Sequence, residues 1–125
     1  MKIARWIFAA AGVYGIAVTA PLYFAESLIA ANDPPALTHV EYFYGFTGIT
    51  LAWQFAFLVI SRDPVRYRPI MLVAVLEKLG WGIPALVLYM QQRVKGSAVA
   101  FGSIDLILGA LFVLAFLRTP RAPTA

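Results

Sequence analysis

The chain has 125 residues, 62% of them hydrophobic and only 13% charged, with a mean hydropathy of +0.80. Soluble domains carry about 25% charged residues, so an ordinary water-soluble globule is excluded. The sequence holds no cysteine and one histidine, which removes disulfide frameworks, thiol redox pairs and cysteine-type zinc sites and argues against a dedicated metal site; no cofactor is implied. The net charge of +4 does not mark a nucleic-acid binder, because the basic residues sit at the ends of apolar runs and form no patch on one face.

Trp6 to Ala25 is free of charge over 20 positions. At about 1.5 Å per residue that matches the ~30 Å hydrocarbon layer, and the spacing predicts a first span over about 4–25. Met1–Arg5 and the small residues after the apolar run imitate a secretory signal, but Pro21 is a poor cleavage context, so the segment is expected to stay. Ala31–Thr38 contains Asn32, Asp33, Pro34 and Pro35 and is predicted to be a loop. A second span follows over about 41–61, closed by Arg62-Asp63-Pro64. The third, about 68–92, carries Glu77, Lys78 and Pro84; after a short turn at Gly96-Ser97 the fourth, about 97–118, carries Asp105. The tail from Thr119 to Ala125 is expected to fray.

The predicted fold is therefore all-α, a polytopic bundle of four transmembrane helices forming a single domain over 1–125. With a cytoplasmic N-terminus, one side collects Lys2, Arg5, Arg62, Arg66, Arg68, Arg118 and Arg121 against Arg93 and Lys95 on the other. Both termini are then expected on the cytoplasmic side of the membrane. The same bias argues against a dual-topology antiparallel dimer of the small multidrug transporter type, whose essential acid lies in a first helix that here has none.

Ionisable groups inside a span cost roughly 2.5–3.5 kcal/mol each on insertion scales and are functional candidates by default. Gly102, Asp105 and Gly109 share a face, so Asp105 should point at protein; Glu77, Gly80, Trp81 and Pro84 make a comparable stripe on span three. Gly12, Gly15, Thr19 and Glu26 line up on span one if Pro21 bends it little, and Glu41, Gly45, Gly48 and Ala52 on span two. Opposite these, Thr47, Thr50 and Gln54 form a milder polar stripe. The reading that follows is a polar pocket in the outer half, lined by Glu26, Glu41, Gln54, Glu77, Lys78 and Asp105, with His39 at its mouth and Trp81 as an aromatic wall. Desolvated carboxyls of this kind suit a cationic or amphipathic ligand, or proton transfer. Competing structural readings are a Lys78–Asp105 pair that only neutralises charge, and Glu26 and Glu41 as solvated helix ends. Arg62, Arg66 and Arg68 would serve either as topology anchors or as contacts for anionic lipid head groups.

In its length, its four spans and the run Glu41-Tyr42-Phe43-Tyr44-Gly45-Phe46 opening the second, the chain resembles small four-helix membrane proteins of bacteria of the DoxX-like type. Through intramembrane acids beside tryptophan it is similar, more distantly, to the sterol isomerase and sigma-2 receptor family, whose four-helix core binds amine-bearing sterol-like ligands; that resemblance carries no catalytic role onto particular residues here. Two functions stay open. One is a non-catalytic module binding a small amphipathic or lipid-like ligand or a partner membrane protein, in a monomer or homo-oligomer; no nucleophile–base motif is present, which favours it. The other is a membrane enzyme or proton-coupled carrier in which Glu77 and Asp105 exchange protons with substrate.

Overall fold

The computed structural model describes residues 2–124, and all its regular structure is helical. Helix α1 (Lys2–Thr19) runs into a 3-10 segment (Ala20–Phe24); a short α2 (Glu26–Asn32) and a loop lead to α3 (Val40–Arg62), α4 (Arg68–Met90) and α5 (Gly96–Arg118). Four stretches, Lys2–Phe24, Val40–Arg62, Arg68–Met90 and Gly96–Arg118, are long and apolar enough to cross a membrane. Each has 23 residues, about 35 Å by helix rise. Their outward faces fit the same medium: Trp6, Val13, Ile49, Leu76, Ile107 and Leu117 are all more than 60% exposed. Water would penalise such a surface, whereas acyl chains would not. These features describe a multi-pass membrane protein.

Three boundaries depart from the sequence reading, each for a local reason. Pro21 has no N–H to give the preceding turn, and the backbone tightens into the 3-10 segment rather than bending a little. Glu26 therefore opens a separate helix and leaves the Gly12–Gly15–Thr19 stripe. That helix continues to Asn32, into the stretch expected to be loop, because the prolines start two residues later. The turn expected at Gly96-Ser97 lies upstream instead, and Gly96 begins α5. α4 stops by a Schellman arrangement: Gln92 N–H donates to Tyr89 O and Arg93 N–H to Leu88 O, both at 2.9 Å, with Gln92 at φ 61° where glycine is usual. α4 itself passes through Pro84 without interruption.

Around the bundle the order is α3, α1, α5, α4. α4 and α5 pack tightly, as do α1 and α3; α1 also meets α5, while α3 and α4 touch only sparingly. Glycines set the close approaches. A methyl group on Gly82 would come within 3.0 Å of the Gly102 carbonyl, and one on Gly102 within 2.7 Å of the Ala85 Cβ, so α4 and α5 meet there nearly backbone to backbone. The end that holds the N-terminus of α1 and the C-terminus of α5 is filled by aromatic packing. Phe8 stacks on Phe112 at 4.3 Å between ring centroids, and Phe57 meets Phe112 edge-on at 4.9 Å. Ala4, Ala11, Ile60, Met71, Ala74 and Ala115 complete this fully buried cluster.

The start of the tail is tied down rather than frayed. Thr119 is buried, its hydroxyl donates to Ala115 O at 2.7 Å, and its own carbonyl accepts from Arg68 Nε at 2.7 Å. Arg68 Nε also reaches Phe116 O at 3.2 Å, and its guanidinium lies 3.8 Å from the Phe116 ring centroid. It thus serves the orphan carbonyls at the end of α5. Beyond Thr119 the chain to residue 124 is irregular, and Ala125 lies outside the described residues.

Candidate functional site

Lys78 is the most deeply placed charge in the molecule. It lies on the packed face of α4 with Met71, Ala74, Gly82 and Ala85, a stripe at i, i+3, i+7, i+11 and i+14. This is not the face marked out by Glu77, Gly80, Trp81 and Pro84, where Gly80 and Pro84 are exposed and nothing approaches a side chain at Gly80. The Lys78 ammonium sits 3.5 Å from Glu77 Oε2 and 3.5 Å from Asp105 Oδ1, and 5.1 Å from the Phe57 ring centroid. Lys78 is 3% exposed, Glu77 15% and Asp105 16%. One lysine therefore bridges two carboxyls on different helices, and with both ionised the cluster has a formal charge of −1. At 3.5 Å these are ion-pair distances at the long end of hydrogen bonding, and Glu77 Oε2 is buried with no hydrogen bond.

Asp105 points inward as its glycine neighbours imply. Gly102 and Gly109 are buried, and a methyl on Gly109 would rest 3.4 Å from Lys78 Cβ, so the small residue makes room for the lysine stem. On α3 the packed stripe is Thr47, Gln54, Phe57 and Ile60, the one expected to be the milder of two. Its supposed main face is open: Glu41, Gly45 and Ala52 are exposed. Gln54 is almost wholly buried; its Nε2 donates to Thr50 O at 2.7 Å, which leaves Oε1 without a hydrogen bond. A methyl on Gly15 would collide with that oxygen at 1.7 Å, so the glycine of α1 exists in this packing to seat the amide of α3.

Above Gln54 and Lys78 the helices no longer fill the space between them. A cavity of about 680 Å³ lies there, in the size range of small-molecule sites. α1 contributes Tyr14, Gly15 and Val18; α3 contributes Phe43, Phe46, Thr50 and Gln54; α4 contributes Lys78 and Trp81; α5 contributes Phe101 and Asp105. Leu37, Thr38 and His39 close the end farthest from the aromatic cluster. A second cavity of about 390 Å³ lies between α3 and α4, lined by Ile49, Trp53, Leu76, Glu77 and Gly80 among others, and shares Phe46, Thr50, Trp81 and Asp105 with the first.

The structure thus brings Gln54, Lys78, Trp81 and Asp105 to one cavity with His39 at its end, and puts Glu77 in the adjoining one. It does not bring Glu26 or Glu41 to either. Glu26 accepts from the Tyr44 hydroxyl at 3.0 Å, and Glu41 stands 3.5 Å from His39 with both side chains largely in solvent. The reason is local: the 3-10 segment turns Glu26 away, and Glu41 occupies the exposed first turn of α3. Tyr14, Phe43 and Phe46 escaped the sequence reading because aromatic residues in apolar helices look like lipid anchors; the only signal was Tyr14 beside the packed Gly15. Arg62 and Arg66 are exposed, with Asp63 Oδ1 accepting from the Arg66 backbone N–H at 3.3 Å. Among the described residues no group of three or more His, Asp or Glu side chains is arranged to hold a metal ion.

The fold and site thus define the class: a multi-pass helical bundle with a charge cluster, centred on the buried Lys78, on the wall of a cavity between its helices. Comparison with family models, curated proteins and solved structures finds no match.

Proposed function

We propose that this protein is a bacterial inner-membrane module, both termini cytoplasmic, that binds a small amphipathic or lipid-like molecule in the cavity between its four long helices. The single observation that carries the reading is the contrast in one bundle between aromatic packing at one end and some 680 Å³ of unfilled space at the other, its wall holding an otherwise costly buried lysine and aspartate. Apolar rings would take the ligand's body, and Lys78, Asp105 and Thr50 its polar end. Seven basic residues at the end with the termini, against two opposite, support the orientation. Arg62 and Arg66 are the groups free to meet anionic lipid head groups there, Arg68 being engaged with α5. The likeness to DoxX-like proteins remains part of this proposal and rests on the Glu41–Phe46 run and the four spans.

The test is organic extraction of the purified protein followed by mass spectrometry, for the wild type and for Thr50→Trp, whose indole would occupy the cavity. An amphiphile present in the first extract and depleted at least several-fold in the second is the expected result. Identical extracts would remove the proposal. A formal charge of −1 on Glu77, Lys78 and Asp105 favours a second reading, a proton-coupled carrier or isomerase. Glu77→Gln separates the two: turnover or transport would be lost in a carrier or enzyme, while a binding module would retain its extracted amphiphile.

A further inference from the structure

The two cavities have four wall residues in common, Phe46, Thr50, Trp81 and Asp105, and so adjoin one another there. The smaller one lies between α3 and α4, the neighbouring pair with the least contact, because α3 is drawn to α1 by Gly12 and Gly15 and α4 to α5 by Gly82 and Gly102. Its outer rim is Ile49 and Leu76, exposed by 68% and 66%, together with Gly80, where nothing stands within 4 Å of a methyl group. Across it the rings of Phe46 and Trp81 lie tilted toward each other with centroids 6.1 Å apart, an aromatic pair that spans α3 and α4.

Depth decides what medium this opening meets. The midpoints of α3 and α4 are Leu51 and Leu79, and Ile49, Trp53, Leu76, Glu77 and Gly80 all fall within three residues of them. That is within about 5 Å of mid-span by helix rise, where a bilayer offers acyl chains and no water. The larger cavity's other end, at Leu37, Thr38 and His39, instead lies beside the helix ends, under a loop held by Lys95, whose ammonium meets Asp33 Oδ1 at 3.1 Å and Asn32 O at 3.2 Å.

We infer that the two cavities are one chamber filled sideways from the bilayer, through a slot between α3 and α4 gated by Phe46 and Trp81, and that its ligand is a chain-bearing amphiphile dissolved in the membrane rather than a water-borne metabolite. The inference rests on the binding reading above and specifies its ligand class and route. The rings of Phe46 and Trp81 are the side chains the entering chain would push aside, and Glu77 at the slot is a polar group its head would meet.

The experiment uses an interior reporter. Trp6, Trp53 and Trp81, the three tryptophans of the chain, are replaced by Phe, and Tyr14→Trp places a single indole on the chamber wall of α1, away from the slot. The protein is reconstituted in phosphatidylcholine vesicles with and without bromine at mid-chain, and acrylamide serves as the aqueous quencher. Bromolipid should quench the reporter, and Gly80→Phe, which adds a ring where space is open, should reduce that quenching at least twofold while leaving acrylamide quenching unchanged. Leu76→Phe is the second plug, on an exposed position, should the first not fold. Bromolipid quenching that is the same with and without both plugs, or quenching by acrylamide alone, would overturn the slot. If the extract still contains an amphiphile in that event, binding stands and filling is from the His39 end; if it does not, the binding reading falls as well.

Discussion

The same four helices make two unlike halves. Toward the chain termini, Phe8, Phe57 and Phe112 pack with ring centroids 4.3–6.0 Å apart and are fully buried; toward α2, the helices part around a cavity. Lys78 marks the border, its stem in the packed face of α4, its ammonium 5.1 Å from the Phe57 ring centroid below and in the cavity wall above. Lipid tails are as apolar as the helices, so burial as such does not drive these helices together; what holds them is dispersion between well-fitted surfaces and polar contacts. The closed half supplies fitted rings and the open half supplies glycine contacts on its flanks, which hold the helix pairs while the centre stays empty. Under the proposed function, stability and binding fall to different ends of one bundle.

The largest expected effect tests the border. Lys78→Met leaves two partly buried carboxyls without their shared cation and should destabilise the fold by about 3 kcal/mol, with much of that loss recovered in Lys78→Met/Asp105→Asn; unfolding in mixed micelles measures both. If the single variant is neutral, the cluster is not a unit of the fold. Next, Phe112→Ala removes the ring that touches both Phe8 and Phe57 and should cost about 2–3 kcal/mol, while Val18→Ala, which enlarges an existing cavity, should cost less than about 1 kcal/mol. Equal losses at the two positions would erase the distinction between halves. Gly82→Ala forces a methyl against Leu106 at 2.8 Å and the Gly102 carbonyl at 3.0 Å, and a loss of about 1–2 kcal/mol is expected in the same assay. Smallest is Gln92→Gly, which relieves the left-handed backbone at the end of α4 and should stabilise by about 0.5–1 kcal/mol.

Much of the scaffold was legible as residues. Long apolar runs, free of charge in the first two spans and interrupted only by Glu77, Lys78 and Asp105 in the others, mark the four long helices to within a few positions, and Arg62-Asp63-Pro64 marks the end of one of them, because a backbone in hydrocarbon has no choice but to satisfy its own hydrogen bonds. The glycines of α1 and α5 were read correctly as packing faces. On α3 and α4 glycine and acid mark one face, and the structure packs another: the stripe of Thr47 and Gln54 opposite on α3, and that of Lys78 on α4. Helical periodicity says which residues share a face but not which face meets a partner, and in a lipid-facing helix both sides are apolar enough to be either.

What the sequence determined by itself is the number, length and apolar character of the long helices, since bilayer thickness and the absence of water restrict these to almost one solution. Only the tertiary structure decided that α3 pairs with α1 and α4 with α5, that Lys78 rather than Glu77 sits at the centre, and that Glu26 and Glu41 stand apart from the cavity. Those outcomes turn on ångström-scale fits, such as Gly15 against Gln54 and Gly102 against Gly82 and Ala85, which exist only once two helices have met.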